Sequence, residues 1–308
     1  MTRTNYIEEI PFKEFTAINM LNMPELGIFK TATLKCSNIS QTVALILDRN
    51  NTSNAQKTKF NWTPWLSAIS LSMCRNPVIT IYIVVPNWQL VPPYGIPSVI
   101  LYLQDIQHKN VIKFYGTTYD LENNKYMVFQ FVADGNLRDY LVRNKISRKT
   151  KLKIARDIAK GLEYLHKKGI VHENLSPSTI FVENKNAFIA NPTVSSVTKK
   201  ESSVNTMRNM IPYLDPRSFK NPQYRPDFKS NIYSLGVIMW QIFSCKEPLS
   251  NYSNLMSFVC DVLSNKREEP IGDAPDEYIS LYKDCWSSDP DKRPSIQQVV
   301  SRLMHISV

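Results

Sequence analysis

The sequence is poor in glycine, with eight glycines among 308 residues. Only Gly27 occurs before Gly95, and nowhere are two glycines separated by a single residue. A turn of the form G-x-G-x-x-G and a phosphate-binding loop of the form G-x-x-x-x-G-K-[ST] are therefore both absent. Any nucleotide that the protein binds must be held in another way.

Cysteine and histidine are also scarce. The five cysteines include no C-x-x-C pair, and the four histidines show no spacing typical of metal ligands. This pattern disfavours a disulfide framework and a zinc site. The first ten residues lack the apolar core that a signal peptide needs. We therefore expect a reduced, cytoplasmic (intracellular) protein.

Charge is missing from one long segment. No charged residue occurs at 76–104, and residues 78–85 (VITIYIVV) are strongly apolar. Five prolines interrupt the segment, and its unbroken apolar run is far shorter than the ~20 residues of a membrane-spanning helix. We expect a buried strand followed by a proline-rich loop, with no stable membrane span. Membrane association is the alternative.

Elsewhere the net charge of +10 is concentrated at residues 143–168, where ten Lys or Arg residues accompany only Asp157 and Glu163. Such a segment is typical of a solvated helix face, and a docking face for an anionic partner is the alternative. Aromatic residues that would stack on bases do not alternate with these charges, so we predict no nucleic-acid partner. We expect the partner of this basic face to be an acidic protein.

Hydrophobic patterns divide the chain into a strand-rich first part and a helical second part. Alternating and β-branched runs predict strands at residues 31–34, 42–47, 111–119 and 125–132. Apolar residues at helical spacing predict helices near 137–141, 152–165, 230–243, 252–263, 278–285 and 295–304. Gly169 is placed to cap the second helix. Strands followed by helices indicate an α+β fold.

Four blocks of residues resemble eukaryotic protein kinases. Residues 161–182 (GLEYLHKKGIVHENLSPSTIFV) resemble the approach to the kinase catalytic loop, which reads H-R-D-L-x-x-x-N. Residues 230–236 (SNIYSLG) resemble S-D-I-Y-S-x-G, residues 285–295 (CWSSDPDKRPS) match C-W-x-x-D-P-x-x-R-P-[ST], and residues 108–116 (HKNVIKFYG) resemble H-x-N-I-I-x-x-x-G. The blocks occur in kinase order, and the C-W and I-Y-S forms favour the tyrosine-kinase-like branch.

The resemblance implies a bilobal α+β fold. A small β-rich N-lobe would occupy residues 1–130, and a larger helical C-lobe would occupy residues 131–308. Residues 50–107 fit the N-lobe poorly because charge vanishes and prolines accumulate there. An insertion or a misread gene boundary is the alternative for this segment.

The catalytic positions implied by the resemblance hold other residues. His172, Asn174 and Thr179 stand at the histidine, aspartate and asparagine of the catalytic loop. A carboxamide at position 174 cannot accept a proton as a general base, and the short Thr179 hydroxyl cannot easily reach a metal ion. Asn191 stands where the aspartate of D-F-G binds magnesium, so a neutral amide replaces the main anchor of a cation that prefers carboxylate oxygen.

The nucleotide-binding positions are altered as well. The strand that reads V-A-x-K in the family places Ala44 at its alanine but Ile46 at its lysine, and no glutamate occurs at residues 26–121 to serve as the lysine's partner. The glycine-rich loop keeps only Gly27. The resemblance assigns the hinge and the floor of this degenerate cleft to Phe129, Phe131, Val132 and Phe181.

A structural ion pair of the family is also changed. Asp215-Pro216-Arg217 stands where kinases have A-P-E, whose glutamate pairs with the arginine that corresponds to Arg293. Arg217 and Arg293 would then be two like charges, which cannot share a buried site without new partners. We predict that Arg217 turns outward or that its segment is displaced.

Together these losses predict a catalytically inactive pseudokinase that acts as a signalling or scaffold module, with no cofactor and no metal. The alternative is a divergent ATP-dependent Ser/Thr or Tyr kinase that uses ATP and magnesium. In that case displaced residues such as Asp105 or Lys109 would replace the missing groups.

Overall fold

The computed structural model of the chain describes residues 105–119, 121, 125–190, 209–221, 223–248, 250–252, 254–270 and 273–307, and, before residue 105, the backbone of the strands named below. The interpretation of residues 50–107 therefore lies largely outside the described residues. The same holds for Asn191, which follows directly on the described segment that ends at Ala190.

An antiparallel sheet forms the first part of the fold. Its strand order is β1-β2-β3-β7-β6, with β1 (Phe15–Met23), β2 (Gly27–Cys36), β3 (Ile39–Leu47), β6 (Phe114–Tyr119) and β7 (Lys125–Gln130). Two short pairs join β4 (Ala68–Ile69) to β5 (Ile81–Tyr82) and β8 (Ile180–Glu183) to β9 (Asn186–Ile189). The four predicted strands are confirmed, although β6 begins three residues later than its apolar run.

Helices follow the sheet. They are α1 (Leu137–Arg143), α2 (Arg148–Lys167), α3 (Arg217–Lys220), α4 (Phe228–Ser244), α5 (Leu255–Leu263), α6 (Asp276–Cys285) and α7 (Ile296–His305). The helices predicted from apolar spacing are confirmed, and α5 begins at Leu255 rather than near 252. None of the helices within the described ranges combines the length and the apolar character needed to cross a bilayer.

Helix ends are set by local chemistry. The side chains of Asn136, Ser147, Asp227 and Ser295 each accept a hydrogen bond from a backbone N–H in the first turn of the helix that follows, which satisfies a donor that has no partner within the helix. Gly169, just past the end of α2, has a φ of 76°. A left-handed residue at this place favours glycine, so the predicted cap is confirmed.

Helix α4 is the centre of the helical part and is buried almost throughout, as its uniformly apolar sequence predicts. It packs against α2 and α6. At Gly236 an added Cβ would lie 2.8 Å from the Cβ of Cys285 and 2.9 Å from the Trp286 nitrogen. Glycine is therefore required for α4 and α6 to approach this closely.

The buried Arg293 pairs with Asp215. Its guanidinium also donates to the carbonyl oxygens of Ser287 (2.8 Å) and Lys229 (2.9 Å). Burial alone would raise the pKa of Asp215, but hydrogen bonds from Arg217 and Arg293 lower that pKa below its usual value. The carboxylate therefore stays ionised and balances the buried guanidinium.

The first of the two predicted alternatives, an outward turn of Arg217, is wrong, and displacement of its segment stays a prediction. The side chain is 28% exposed, and its Nη2 lies 2.8 Å from the carboxylates of both Asp215 and Asp227. The prediction failed because it considered the lost glutamate at position 217 and overlooked Asp215, two residues earlier, as the replacement anion. We call Asp215, Arg217, Asp227 and Arg293 the base network.

Candidate functional site

The loop between α2 and β8 carries His172, Asn174 and Thr179. It ends in a 3₁₀ turn at Pro177–Thr179, which leads directly into β8. His172 and Thr179 are buried, while Asn174 is half-buried. We call residues 172–179 the catalytic-loop turn.

The hydroxyl of Thr179 is occupied by bonds within this turn. Its Oγ1 lies 2.8 Å from the carbonyl oxygen of Asn174 and 3.0 Å from that of Ser176, and it accepts a hydrogen bond from the Ser176 N–H at 3.1 Å. The hydroxyl therefore closes the turn on itself. At the position of a metal-binding asparagine, the side chain has a structural function.

His172 connects the turn to two other parts of the lobe. Its backbone N–H donates to the Asn231 side-chain oxygen at 2.9 Å, and its Nε2 lies 2.9 Å from the carbonyl oxygen of Ala190. Burial lowers the pKa of His172 to about 4. The ring is therefore neutral at pH 7, and it holds the backbone just before Asn191.

Asn231, on α4, connects parts of the lobe around this turn, and the sequence analysis did not single it out. Its Oδ1 accepts the His172 N–H and also lies 3.1 Å from the Nε2 of His166 on α2. One neutral amide thereby joins α4, α2 and the catalytic-loop turn. The signal was present in the sequence, since Asn231 stands at the aspartate of the S-D-I-Y-S pattern.

The strand pairing brings the predicted cleft residues of the sheet beside the hinge. Ala44 on β3 lies opposite Phe129 on β7, and Ile46 lies opposite Met127. Gly27 begins β2, opposite Met23. The sheet thus aligns the strand that would carry the phosphate-binding lysine with the strand that enters the hinge.

Phe129 is 2% exposed and packs on Phe114, with the ring centroids 5.1 Å apart. Val132 is buried, whereas Phe131 is half-buried. A bulky aromatic ring at position 129 therefore fills space at the back of the sheet rather than leaving it open.

Residues 129–135, which we call the hinge, are bonded to the β8–β9 hairpin. The Ala133 N–H donates to the Glu183 carboxylate at 3.1 Å, and the Val182 N–H donates to the Gly135 carbonyl oxygen at 2.9 Å. Phe181 on β8 is half-buried and forms an isolated β-bridge with Asn136, which follows the hinge. The hairpin therefore holds the hinge from the helical side.

The residues at the metal-binding positions do not fit magnesium, which prefers anionic oxygen ligands. The Thr179 hydroxyl donates its one proton within the turn and accepts the Ser176 N–H, so it offers magnesium at most one lone pair of a neutral oxygen. Asn174 and Asn191 offer neutral amides in place of carboxylates. These three positions therefore supply no anionic ligand for a metal ion.

Asp105 and Lys109, the suggested replacements for missing catalytic groups, lie beside α2. The Tyr164 hydroxyl donates to the Asp105 carbonyl oxygen at 3.2 Å. Lys109 adjoins His108, whose ring stacks on Tyr164 with centroids 5.0 Å apart. The described contacts of this segment are thus with the outer surface of α2.

The basic residues of 143–168 do not form one uniform face. Lys151 is buried and donates to the Phe243 carbonyl oxygen at 2.8 Å, while Arg156 donates to the carbonyl oxygens of Leu303 and Ile306 at 2.9 and 2.6 Å. Other members form ion pairs, namely Arg143–Asp139, Arg148–Asp273, Lys153–Asp157 and Lys167–Glu163. Several of these cations therefore stabilise the lobe, and the docking of a partner on the remaining ones stays a prediction.

A family model described as protein tyrosine and serine/threonine kinase matches residues 98–303, about two thirds of the chain. The chain therefore belongs to this family, within the eukaryotic protein kinase superfamily. Its antiparallel sheet and its helical part correspond to the two lobes of the kinase fold, and the predicted bilobal α+β architecture is confirmed.

Individual relatives are similar over the same region. A protein of Acanthamoeba polyphaga mimivirus named as the serine/threonine-protein kinase/receptor R826 is 32% identical over 211 residues, which are 67% of this chain and 12% of that protein. A protein of Dictyostelium discoideum named as a LIM domain-containing serine/threonine-protein kinase is 33% identical over 215 residues, or 68% and 32% of the two chains. The megakaryocyte-associated tyrosine-protein kinase of Rattus norvegicus is 28% identical over 203 residues, or 64% and 42%. The chain spans less than half the length of each of these relatives.

Proposed function

We propose that the chain is a pseudokinase, a kinase-fold module that binds protein partners without transferring phosphate. The observation that carries the proposal is the bonding of Thr179, whose hydroxyl closes the turn onto the Asn174 and Ser176 carbonyls. This oxygen is neutral and already accepts one hydrogen bond within the turn, which makes it a weak ligand for a cation that prefers carboxylate oxygen. The neighbouring Asn174 cannot serve as a base, a role typically worth 10²–10⁴-fold in rate.

The residues at the other catalytic positions also favour the pseudokinase proposal. Phosphoryl transfer depends mainly on positioning and charge neutralisation. Ile46 supplies no ammonium, and Asn191 supplies no carboxylate. The proposal therefore includes no cofactor, neither ATP nor magnesium.

The competing function is ATP-dependent phosphate transfer by a divergent kinase. It is favoured by the relatives at about 32% identity, which are named as serine/threonine-protein kinases. Under this alternative the protein would bind ATP and magnesium and phosphorylate serine, threonine or tyrosine.

The direct test incubates the purified chain with radiolabelled ATP, magnesium or manganese, and a generic protein substrate. We expect no transfer above that of an Asn174→Ala/Asn191→Ala variant prepared in parallel. Transfer by the wild type that disappears in the variant would overturn the proposal. The variant also controls for a contaminating kinase, whose activity would survive the substitutions.

A second measurement follows the thermal unfolding temperature during titration with ATP, with and without magnesium. A ligand raises the free energy of unfolding by RT ln(1 + [L]/Kd). We expect no magnesium-dependent increase at millimolar ATP. An increase that requires magnesium would support the divergent kinase instead.

We further propose that the module is a cytoplasmic signalling scaffold. Its partner would be an acidic protein held through residues of the basic segment 143–168, rather than nucleic acid. Members without a carboxylate partner within the described residues support this assignment, namely Lys160 and Lys168.

A further inference from the structure

One side of the C-terminal half of α2 gathers lysines around a tyrosine. Residues 160, 164, 167 and 168 are three or four positions apart, so they share one helix face. The segment before β6 adds His108 and Lys109 to the same place, because the His108 ring stacks on Tyr164 at 5.0 Å with an interplanar angle of 17°. We call this surface the Tyr164 patch, and its members are His108, Lys109, Lys160, Tyr164, Lys167 and Lys168.

The Tyr164 patch is held in place by contacts between α2 and the segment before β6. The Tyr164 hydroxyl accepts a hydrogen bond from the Gln107 N–H at 3.0 Å and donates to the Asp105 carbonyl oxygen at 3.2 Å. Further along the segment, the Asn110 carbonyl oxygen lies so close to α2 that a Cβ at Gly161 would be 2.6 Å from it. The lysines therefore project from a surface that requires little ordering when a partner binds, which favours affinity.

Positive charge dominates this surface. Four lysines face Glu163, which is bonded to Lys167 at 3.0 Å, and Asp105 at the margin. Lys109 and Lys160 have no ion pair with any carboxylate of the described ranges. Burial first, and then Lys109, lower the pKa of His108, so the ring is neutral at pH 7 and the lysines alone provide the charge.

The aromatic ring does not offer a stacking platform. One face of Tyr164 is covered by His108, and the Lys168 ammonium lies 6.0 Å from the ring centroid. Proteins that bind single-stranded nucleic acid use free aromatic faces on which bases stack. The large exposed apolar side chains in the described part of the chain are Leu121, Val142, Phe228 and Met304, all outside the patch. A lipid surface would find no apolar group there to insert.

We propose that the Tyr164 patch is the docking surface for an extended, carboxylate-rich segment of a partner protein. The inference rests on the proposed function as a protein-binding module and identifies the part of the basic segment that binds. Complementary charge on a rigid surface gives such a segment both a fast approach and a fixed register. Lys151 and Arg156 are excluded because their charged groups donate to carbonyl oxygens of the lobe itself.

The test measures binding of a fluorescein-labelled decaglutamate peptide by fluorescence anisotropy. The patch variant is Lys160→Glu/Lys168→Glu, and the matched control is Lys145→Glu/Lys149→Glu, which changes the net charge equally in the same basic segment. A neutral variant, Lys160→Gln/Lys168→Gln, is included, and thermal unfolding verifies that all proteins fold. Phosphatidylserine vesicles and a single-stranded oligothymidylate are tested with the same set.

We expect the patch variant to weaken peptide binding by about tenfold or more, the neutral variant to weaken it less, and the control to weaken it by less than about twofold. Equal weakening by patch and control variants would overturn the proposal, as would a wild type that does not bind the peptide. Binding of vesicles or oligothymidylate that alone depends on Lys160 and Lys168 would overturn the choice of occupant. None of these readouts involves ATP, so the proposal can fail while the pseudokinase assignment stands, and the reverse.

Discussion

The base network and the catalytic-loop turn differ in whether their key side chains are ionised. In the base network, Arg293 is fully buried and Asp215 is nearly so, and hydrogen bonds from Arg217 and Arg293 lower the pKa of Asp215 so that its carboxylate stays ionised. In the catalytic-loop turn, the positions that an active kinase would fill with a carboxylate and a metal ligand hold Asn174 and Thr179, which are neutral.

The difference shows which charges the fold itself requires. Removing one member of a buried ion pair leaves the other uncompensated, which is strongly unfavourable. The loss of the glutamate at position 217 is therefore matched by a replacement anion at Asp215. Carboxylates that act only on a nucleotide carry no such requirement, and the side chains at positions 174 and 179 are uncharged.

The largest expected effect is the loss of stability when a substitution breaks the base network. Asp215→Asn leaves the Arg293 guanidinium buried without its anion, and we expect the free energy of unfolding to fall by about 3–5 kcal/mol. The measurement is urea denaturation. Asp273→Asn is the control, since its partner Arg148 is 58% exposed, and an exposed pair contributes at most about 1 kcal/mol. Similar losses in the two variants would show that the burial of Arg293 is not what makes Asp215 necessary.

The next largest effect is the contribution of His172 to the pH dependence of the free energy of unfolding. Its pKa is about 4 in the folded protein and about 6.5 in an unfolded chain. Between these values the unfolded chain binds more protons, so the free energy of unfolding falls as the pH is lowered from about 7 to about 4. The difference between the two pKa values corresponds to about 3 kcal/mol.

The measurement compares the pH dependence of urea denaturation in the wild type and in His172→Gln. Glu268, whose pKa burial raises to about 7, has the opposite effect on stability in the same pH range. It is present in both proteins, so their difference reports His172. An identical pH dependence of the two proteins would contradict a neutral, buried His172.

A smaller effect tests whether Thr179 has become a structural residue. Thr179→Val leaves the Ser176 N–H and the Asn174 carbonyl oxygen without their partner, and we expect a loss of about 1–3 kcal/mol by urea denaturation. Thr118→Val is the matched control, because Thr118 is fully buried and its hydroxyl has no hydrogen-bond partner among the described residues. We expect this control to be neutral or more stable. Equal responses of the two threonines would remove the structural assignment of Thr179.

The smallest expected effect on stability comes from a substitution that restores one catalytic group. Asn174→Asp returns a carboxylate to a half-buried position, and we expect a change within about 0.5 kcal/mol in the free energy of unfolding. Phosphate transfer should stay undetectable, since Ile46, Thr179 and Asn191 still lack the required chemistry. Activity gained from this single change would place the chain one substitution away from an active kinase.

Much of the helical lobe could be predicted from the sequence. Apolar spacing locates α2 and α4 because helices with buried faces repeat on a period of 3.6 residues, and Gly169 marks the end of α2 through its backbone preference. The blocks at 230–236 and 285–295 identify the family because they combine several fixed residues in order.

The bonding of individual side chains could not be predicted in the same way. The pairing of Asp215 with Arg293 joins residues 78 positions apart, and nothing in the local pattern around Asp215 indicates it. The function of the Thr179 hydroxyl depends on the geometry of a turn, which the motif spacing does not determine. Some lysines and arginines of residues 143–168 bond to the lobe and others stay exposed. Which of them bond depends on the carbonyl groups that other helices place nearby.

The bonds between the hinge and the β8–β9 hairpin have a consequence for motion. In an enzyme that exchanges nucleotide in every cycle, the two lobes must open and close, and the hinge between them absorbs that rotation. Here the Ala133 and Val182 amides fasten the linker to the lower half through Glu183 and Gly135. Residues 133–135 are therefore fixed to the helical part, and any rotation between the two parts would be absorbed by the residues before Ala133.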